Sequence, residues 1–188
     1  TWSPRGDEVA FLSNHEPDPD AFNNSDIYAV DMNQRVRQIT DTRGCEYEPA
    51  WSPDGKLIAY TATRRDVTTI DSVAEDTHVW VVDAGGGPGR DLTAEQDRRA
   101  RSPRWAPSGN AVFYLAGDHG RTTIYRAGLN ERRVQALTIW GDPGRGIMRS
   151  LFVTDIPSDD ETDEIRHLSE FRSFQIGSFS MASKVFQF

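Results

Sequence analysis

The sequence predicts an all-β protein: a β-propeller fragment of about three four-stranded blades, followed by a divergent C-terminal segment. Three landmarks recur in the same order along the 188 residues. A Trp-x-Pro-x-Gly motif opens each repeat, a strand-like segment follows it, and a hydrophobic residue paired with Thr closes it. The motif tryptophans, Trp2, Trp51 and Trp105, lie about 50 residues apart, a period typical of propellers. One such unit cannot bury its own faces, so neighbouring units must stack around an axis.

The first landmark is clearest at Trp51-Ser52-Pro53-Asp54-Gly55. Here Pro53 interrupts a short strand, and Gly55 supplies the positive φ of a tight turn. The β-branched and aromatic residues that follow, 57–61, favour a buried strand. Because the tryptophans keep one position in the repeat, we expect them to fill the space between blades rather than to stack on a ligand.

Two further segments complete each predicted blade. The third strand of each blade is predicted from segments that begin at Asp26, His78 and Thr123. The fourth strand is predicted from segments that end at Thr40, Thr93 and Thr138. Four short antiparallel strands in about 50 residues are the content of one propeller blade.

These landmarks place blades at residues 1–45, 46–98 and 99–141, and the first blade is expected to be partial because it lacks its lead-in. The second blade contains an inserted loop at 63–77. Residues 142–188 depart from the pattern, because no Trp-Ser-Pro-Asp-Gly motif follows. Their acidic stretch, 158–164, has capping-box spacing before a short amphipathic pattern, which favours one helix. This segment is either a divergent or partial blade or a mispredicted chain end.

Composition excludes several classes of partner. The net charge of −8 would repel a phosphate backbone, so nucleic acid is not expected as a partner. No stretch approaches the ~20 apolar residues that cross a bilayer, and no membrane span is expected. The single cysteine, Cys45, cannot form an internal disulfide. A reducing, cytoplasmic location is therefore favoured, although a disulfide-free exported protein fits equally well.

No catalytic, cofactor or metal site is predicted within the chain. The four histidines fall at unrelated positions of the repeats and lack metal-ligand spacing. The acidic loop at 16–26 fails the calcium-loop pattern, since Phe22 stands where an oxygen ligand is needed. The glycine-rich run 85–89 lacks the Lys-Ser/Thr ending of a phosphate-binding loop.

The inserted loop is the one segment where a functional contact is predicted. Loops carried by a rigid scaffold are usual places for binding, because their sequence varies without harm to the core. We expect this loop to touch another domain or a neighbouring subunit through the charged residues Arg64, Arg65, Asp66 and Asp76. The competing interpretation is that the inserted segment is a solvent-exposed loop that contacts no partner.

The motif Trp51-Ser52-Pro53-Asp54-Gly55 with Ile58-Ala59-Tyr60 resembles a propeller repeat shared by two groups. They are the TolB-like proteins and the N-terminal domains of the prolyl oligopeptidase family. Phe11-Leu12-Ser13-Asn14, Arg37-Gln38-Ile39-Thr40-Asp41 and the insertion in the second blade are more similar to the acylaminoacyl and dipeptidyl peptidases of the second group. The resemblance covers roughly residues 1–140.

Resemblance to the peptidase family implies that catalysis and substrate selection belong to two different domains. A C-terminal α/β-hydrolase domain would carry the Ser-Asp-His triad, and the propeller would filter peptide substrates by size. The nearest string to the hydrolase Gly-x-Ser-x-Gly motif, Gly177-Ser178-Phe179-Ser180-Met181, fails at the serine and at the second glycine. This chain is therefore expected to catalyse nothing. Its expected partners are the hydrolase domain of the parent chain and peptide substrates, and a homo-oligomer is left open.

Two rival functions stay open at this point. A TolB-like propeller would instead be a periplasmic module for protein–protein interaction. A self-standing propeller hydrolase or lyase would need a polar constellation on one face of the ring, and the sequence offers none that is recognisable.

Overall fold

The structure is a computed structural model that describes residues 1–66 and 77–137. Within these ranges it consists of eleven β-strands and contains no helix. All strand pairing is antiparallel. No helix in this part of the chain could therefore span a membrane. The predicted tail 142–188, Asp76 and Thr138 lie outside the described residues.

The strands form three sheets that follow one another along the chain. The first sheet contains β1 (Glu8–Ser13), β2 (Asp26–Asp31) and β3 (Val36–Gln38). The second contains β4 (Glu46–Trp51), β5 (Leu57–Thr63), β6 (Thr77–Asp83) and β7 (Arg90–Asp91). The third contains β8 (Ala100–Trp105), β9 (Ala111–Asp118), β10 (Arg121–Gly128) and β11 (Gln135–Ala136).

Strand order within each sheet is sequential, as the repeat predicts. The second and third sheets have four strands each. The first has three, and the position of its innermost strand is marked only by the isolated bridge between Trp2 and Val9. The all-β prediction is confirmed, and the first sheet has three strands where the other two have four.

The predicted tight turns are present at equivalent places in the three repeats. Gly6, Gly55 and Gly109 have φ values of 71°, 72° and 70°. A side chain larger than hydrogen would be strained in this left-handed conformation, which explains why each motif has Gly there. The innermost strands of the second and third sheets share a second feature. Each has a bulge with one non-glycine residue at positive φ, Glu48 at 51° and Ser102 at 55°.

The hydrophobic core lies in two layers, each between neighbouring sheets. Between the first and second sheets, Ile27, Ile58 and Tyr60 are almost completely buried. Between the second and third, the buried side chains include Val79, Trp105 and Tyr114. Both layers combine side chains from two sheets, so each sheet depends on its neighbour for burial.

Candidate functional site

Polar side chains gather at the end of the sheets opposite the Gly turns. In the antiparallel ladders Glu46 lies opposite Ala62, and Thr63 lies opposite Thr77. The start of β4, the end of β5 and the start of β6 therefore meet at the same end of the second sheet. The inserted loop leaves the sheet at the same end. We call this end of the first two sheets the polar end.

Two buried carboxyl groups approach each other at the polar end from different sheets. Asp26 begins β2 of the first sheet and is 8% exposed, whereas Glu46 begins β4 of the second and is 1% exposed. Thr42, in the segment that joins the sheets, connects them. Its hydroxyl donates to Glu46 Oε1 at 2.6 Å, and its backbone N–H donates to Asp26 Oδ1 at 3.2 Å. The other oxygen of Glu46, Oε2, is buried with no partner among the described residues.

Burial makes the charged form of both carboxyls unfavourable. Burial is the main cause that raises the pKa of Glu46 from its ordinary value of 4.5 to about 7, and the negative charge of Asp26 adds to it. The hydrogen bond from Thr42 acts in the opposite direction. The pKa of Asp26 is also raised, again mainly by burial, although hydrogen bonds from Thr42 and Thr40 oppose the shift. A carboxyl that holds its proton near neutrality can gain or lose a proton in the physiological pH range.

A second polar group in the second sheet contains a histidine and a carboxylate. His78 Nδ1 lies 2.8 Å from Asp91 Oδ2, and His78 is almost fully buried. The backbone N–H of Thr93 donates to Asp91 Oδ1 at 2.8 Å. Arg64 Nε lies 3.8 Å from Asp91 Oδ2. Asp91 thus contacts both the histidine ring and Arg64, near the start of the inserted loop.

The residues predicted to make a contact through the inserted loop are described in part. Arg64, Arg65 and Asp66 are exposed and follow directly after β5. The carbonyl oxygen of Arg65 accepts a hydrogen bond from Thr63 Oγ1 at 3.2 Å. The structure gathers these residues at the polar end, and Asp76 lies outside the described ranges. Their contact with another domain or subunit stays a prediction.

A repeated contact joins neighbouring sheets at both junctions. On the outer side, Arg37 donates through Nη1 to the carbonyl oxygen of Ala84, and Arg90 donates to that of Leu129 at 2.5 Å. Both arginines stand three residues before the Thr that closes a repeat. The sequence analysis did not single them out, although their matching offset is a signal that could have found them.

On the inner side of the second junction, the third sheet donates to the bulged strand of the second. Glu48 Oε2 accepts from the backbone N–H of Ser102 at 2.6 Å. An open cavity of about 610 Å³ lies beside the same strand, lined by Trp2, Trp51, Pro49 and Arg104 among others. Within the described residues, no group of three or more His, Cys, Asp or Glu side chains is arranged to hold a metal ion.

Stacked antiparallel sheets of three or four strands, each with the same Gly turn next to its innermost strand, define this part of the chain as a segment of a β-propeller. The model of the TolB beta propeller domain family (PD40) matches residues 2–146. The chain therefore belongs to that family.

Similar proteins include peptidases and a TolB-like protein. Dipeptidyl-peptidase 5 of Porphyromonas gingivalis is 26% identical over 142 residues, which are 73% of this chain and 20% of that protein. A TolB-like protein of Agrobacterium tumefaciens has a TM-score of 0.55 at 19% identity, over 72% of this chain and 46% of that one. A puromycin-hydrolyzing peptidase of Mycobacterium tuberculosis has a TM-score of 0.53 at 21% identity, over 74% of this chain and 23% of that one. The chain thus spans about a fifth of this dipeptidyl-peptidase and less than half of each of these two structures.

Proposed function

We propose that this chain is the non-catalytic propeller portion of a serine peptidase of the prolyl oligopeptidase type. In this account the parent protein hydrolyses peptides in a separate α/β-hydrolase domain, and the propeller controls which peptides reach it. The parent acts in the cytoplasm. The observation that carries the proposal is the similarity to dipeptidyl-peptidase 5, which is 26% identical over 142 residues, or 73% of this chain.

The construction of the blades supports a controlling rather than a catalytic role. The sheets are joined by repeated contacts on their outer and inner sides, such as Arg90 with Leu129 and Ser102 with Glu48. Rigid blades of this kind can surround a passage and exclude substrates that are too large. The sequence contains no Gly-x-Ser-x-Gly motif, so the nucleophile of such a peptidase must come from outside these 188 residues.

The inserted loop is the place where we expect the propeller to meet the hydrolase domain or a neighbouring subunit. Arg64, Arg65 and Asp66 are exposed charged side chains at the base of this loop. The base itself is held by the interaction of Arg64 with Asp91. Charged groups held at a fixed position next to β5 favour a specific, salt-sensitive contact over a purely apolar one.

A second candidate is a periplasmic TolB-like interaction module. The match to the TolB beta propeller domain family supports this alternative. Here the parent would contain further blades and no hydrolase, and its ring would present a surface to a protein partner.

An activity-directed probe separates the two candidates. A fluorophosphonate, which reacts with activated serine nucleophiles, should label the parent protein and leave the isolated 188-residue chain unlabelled. The parent reading frame should also encode Gly-x-Ser-x-Gly downstream. A parent that takes up no probe and encodes only additional blades behind an export signal would refute the peptidase proposal and favour the TolB-like module.

The loop contact is tested in the same parent protein. The triple charge reversal Arg64→Glu, Arg65→Glu and Asp66→Lys should weaken domain or subunit association, measured by sedimentation and by kcat/KM for peptides. Arg35→Glu, an exposed charge reversal in the turn before β3, is the matched control and should leave both unchanged. Equal association of the loop variant and the wild type would remove the loop from the proposed interface.

A further inference from the structure

The junction between the first and second sheets contains two buried carboxyl groups, and the described residues place no buried cation there to balance them. Asp26 accepts hydrogen bonds from the Thr40 hydroxyl, the Thr42 backbone N–H and the Gln38 side-chain amide, all of which are uncharged. Glu46 Oε1 accepts from the Thr42 hydroxyl, and Glu46 Oε2 has no partner among the described residues. Ionisation of both carboxyls would place two negative charges in this buried space, which is costly without a counter-charge.

The other ionisable groups around the pair do not supply that counter-charge. Asp41 adds negative charge next to Asp26, and Tyr60, from β5, lies within the electrostatic influence of Asp26, Glu46 and Asp91. On β4 itself, Tyr47 follows Glu46 and is influenced by Cys45 and by Arg99. Arg43, three residues before Glu46, is exposed to solvent, and Arg64, just after β5, lies against Asp91. Among the described groups, a bound proton is what removes the second negative charge.

The same two residues lie where the first sheet is bonded to the second. The backbone N–H of Glu46 donates to the carbonyl oxygen of Ser25 at 3.0 Å. The hydroxyl of Ser25 donates back to the carbonyl oxygen of Glu46 at 2.8 Å. Separation of the sheets at this end would break both bonds and admit water to the carboxyls.

We propose that a proton held by the Asp26–Glu46 pair keeps the polar end of the first junction closed, and that release of this proton favours its opening. The step is a simple acid dissociation: Glu46 releases H⁺ to solvent, and its carboxylate gains hydration when the junction opens. Because Arg64, Arg65 and Asp66 follow β5 at this end, opening changes the charged surface next to the junction. This inference does not depend on the peptidase proposal.

The second junction provides an internal comparison. The residue that begins the innermost strand of the third sheet is Ala100, where the second sheet has Glu46. The position of Asp26 is occupied by His78 in the second sheet. The carboxyl pair is thus absent from the second junction, and the pH dependence that the pair produces should be confined to the first junction.

Amide hydrogen exchange in the full 188-residue chain tests the proposal. The measured quantity is the protection factor of the Glu46 amide, which crosses the junction, from pH 4.5 to 8. Protection should fall by up to roughly tenfold per pH unit between 4.5 and about 7, and then level off, because the open state releases the Glu46 proton first. The Ala106 amide, which donates to Ala111 in the third sheet, is the internal reference and should show no such fall. Parallel behaviour of the two amides would overturn the proposal.

Variants identify the responsible group. Glu46→Gln, which cannot ionise, should abolish the pH dependence, whereas the exposed control Glu95→Gln should retain it. A Glu46→Gln protein that keeps the dependence would overturn the proposal. If Glu46→Gln fails to fold, Asp26→Asn provides the second test, because loss of the neighbouring negative charge should move the midpoint to lower pH. An unchanged midpoint in Asp26→Asn would equally overturn it.

Discussion

The indole Nε1–H of Trp105 donates a 2.9 Å hydrogen bond to the carbonyl oxygen of Ala50, across the junction between the second and third sheets. Trp51 has the same position in the preceding repeat and is also buried, yet its indole N–H has no partner among the described residues. Two tryptophans with one role in the repeat therefore differ in a single hydrogen bond.

This difference predicts unequal effects of the same substitution. Trp105→Phe should reduce the free energy of unfolding by about 2 kcal/mol, because it removes both ring volume and a satisfied hydrogen bond. Trp51→Phe should cost at least about 1 kcal/mol less, since it removes a donor that is buried without an acceptor. Urea denaturation followed by circular dichroism measures both. Equal losses would show that the indole hydrogen bond contributes nothing to the junction.

A second prediction concerns the arginine on the outer side of the first junction. Arg37 forms a 2.8 Å ion pair with Glu8 and donates to the carbonyl oxygen of Ala84 in the second sheet. Arg37→Met keeps the apolar part of the side chain and should destabilise the protein by about 1 kcal/mol, a value reduced for partial exposure of the pair. Arg35→Met is the control, because Arg35 is 78% exposed and pairs only with Asp31 in its own turn. If thermal unfolding shows equal effects for both variants, Arg37 does not join the sheets.

A third prediction follows from the close approach of Gly89 to Tyr60. A methyl group at Gly89 would lie 2.2 Å from the Tyr60 hydroxyl oxygen, far inside van der Waals contact. Gly89→Ala should therefore cost about 1–3 kcal/mol of stability. In a Tyr60→Phe background the cost should fall by at least half, because the clashing oxygen is gone. A double-mutant cycle by urea denaturation measures this coupling, and strict additivity of the two changes would contradict it.

A fourth prediction concerns Thr42, whose hydrogen bond opposes the rise in the pKa of Glu46. Because the folded-state pKa is raised from 4.5 to about 7, the stabilising contribution of this group is complete below pH 4.5 and is lost as pH rises to about 7. The loss is on the order of 3 kcal/mol. Thr42→Val removes the donor and raises the pKa of Glu46 further. The upper limit of the pH range over which stability is lost should therefore move to higher pH.

Thr42→Ser is the matched control for that experiment, because it keeps the hydroxyl and should lose stability over the same pH range as the wild type. Urea denaturation at half-unit pH steps gives this pH range for each variant. Identical pH ranges for Thr42→Val and the wild type would show that the hydroxyl does not act on Glu46.

The sequence predicted those parts of the fold that repeat. Gly6, Gly55 and Gly109 occupy one offset, and the structure gives all three the positive φ that the turn requires. The junction chemistry was not predictable in this way, because Glu46 corresponds to Ala100 and Asp26 to His78. Their proximity depends on how Thr42 crosses between the sheets, a tertiary relationship with no periodic signal. The interaction of Asp91 with His78 and Arg64 could not be predicted from the sequence for the same reason.

The most direct test of the central claim is the dependence of hydrolysis on substrate size in the parent protein that contains these residues. kcat/KM should be measured for a series from dipeptide amides to a folded protein of about 100 residues. The account predicts efficient cleavage of short peptides and loss of at least a hundredfold for the folded protein, because the propeller excludes large substrates. Absence of peptide hydrolysis, or equal efficiency on the folded protein, would contradict the account.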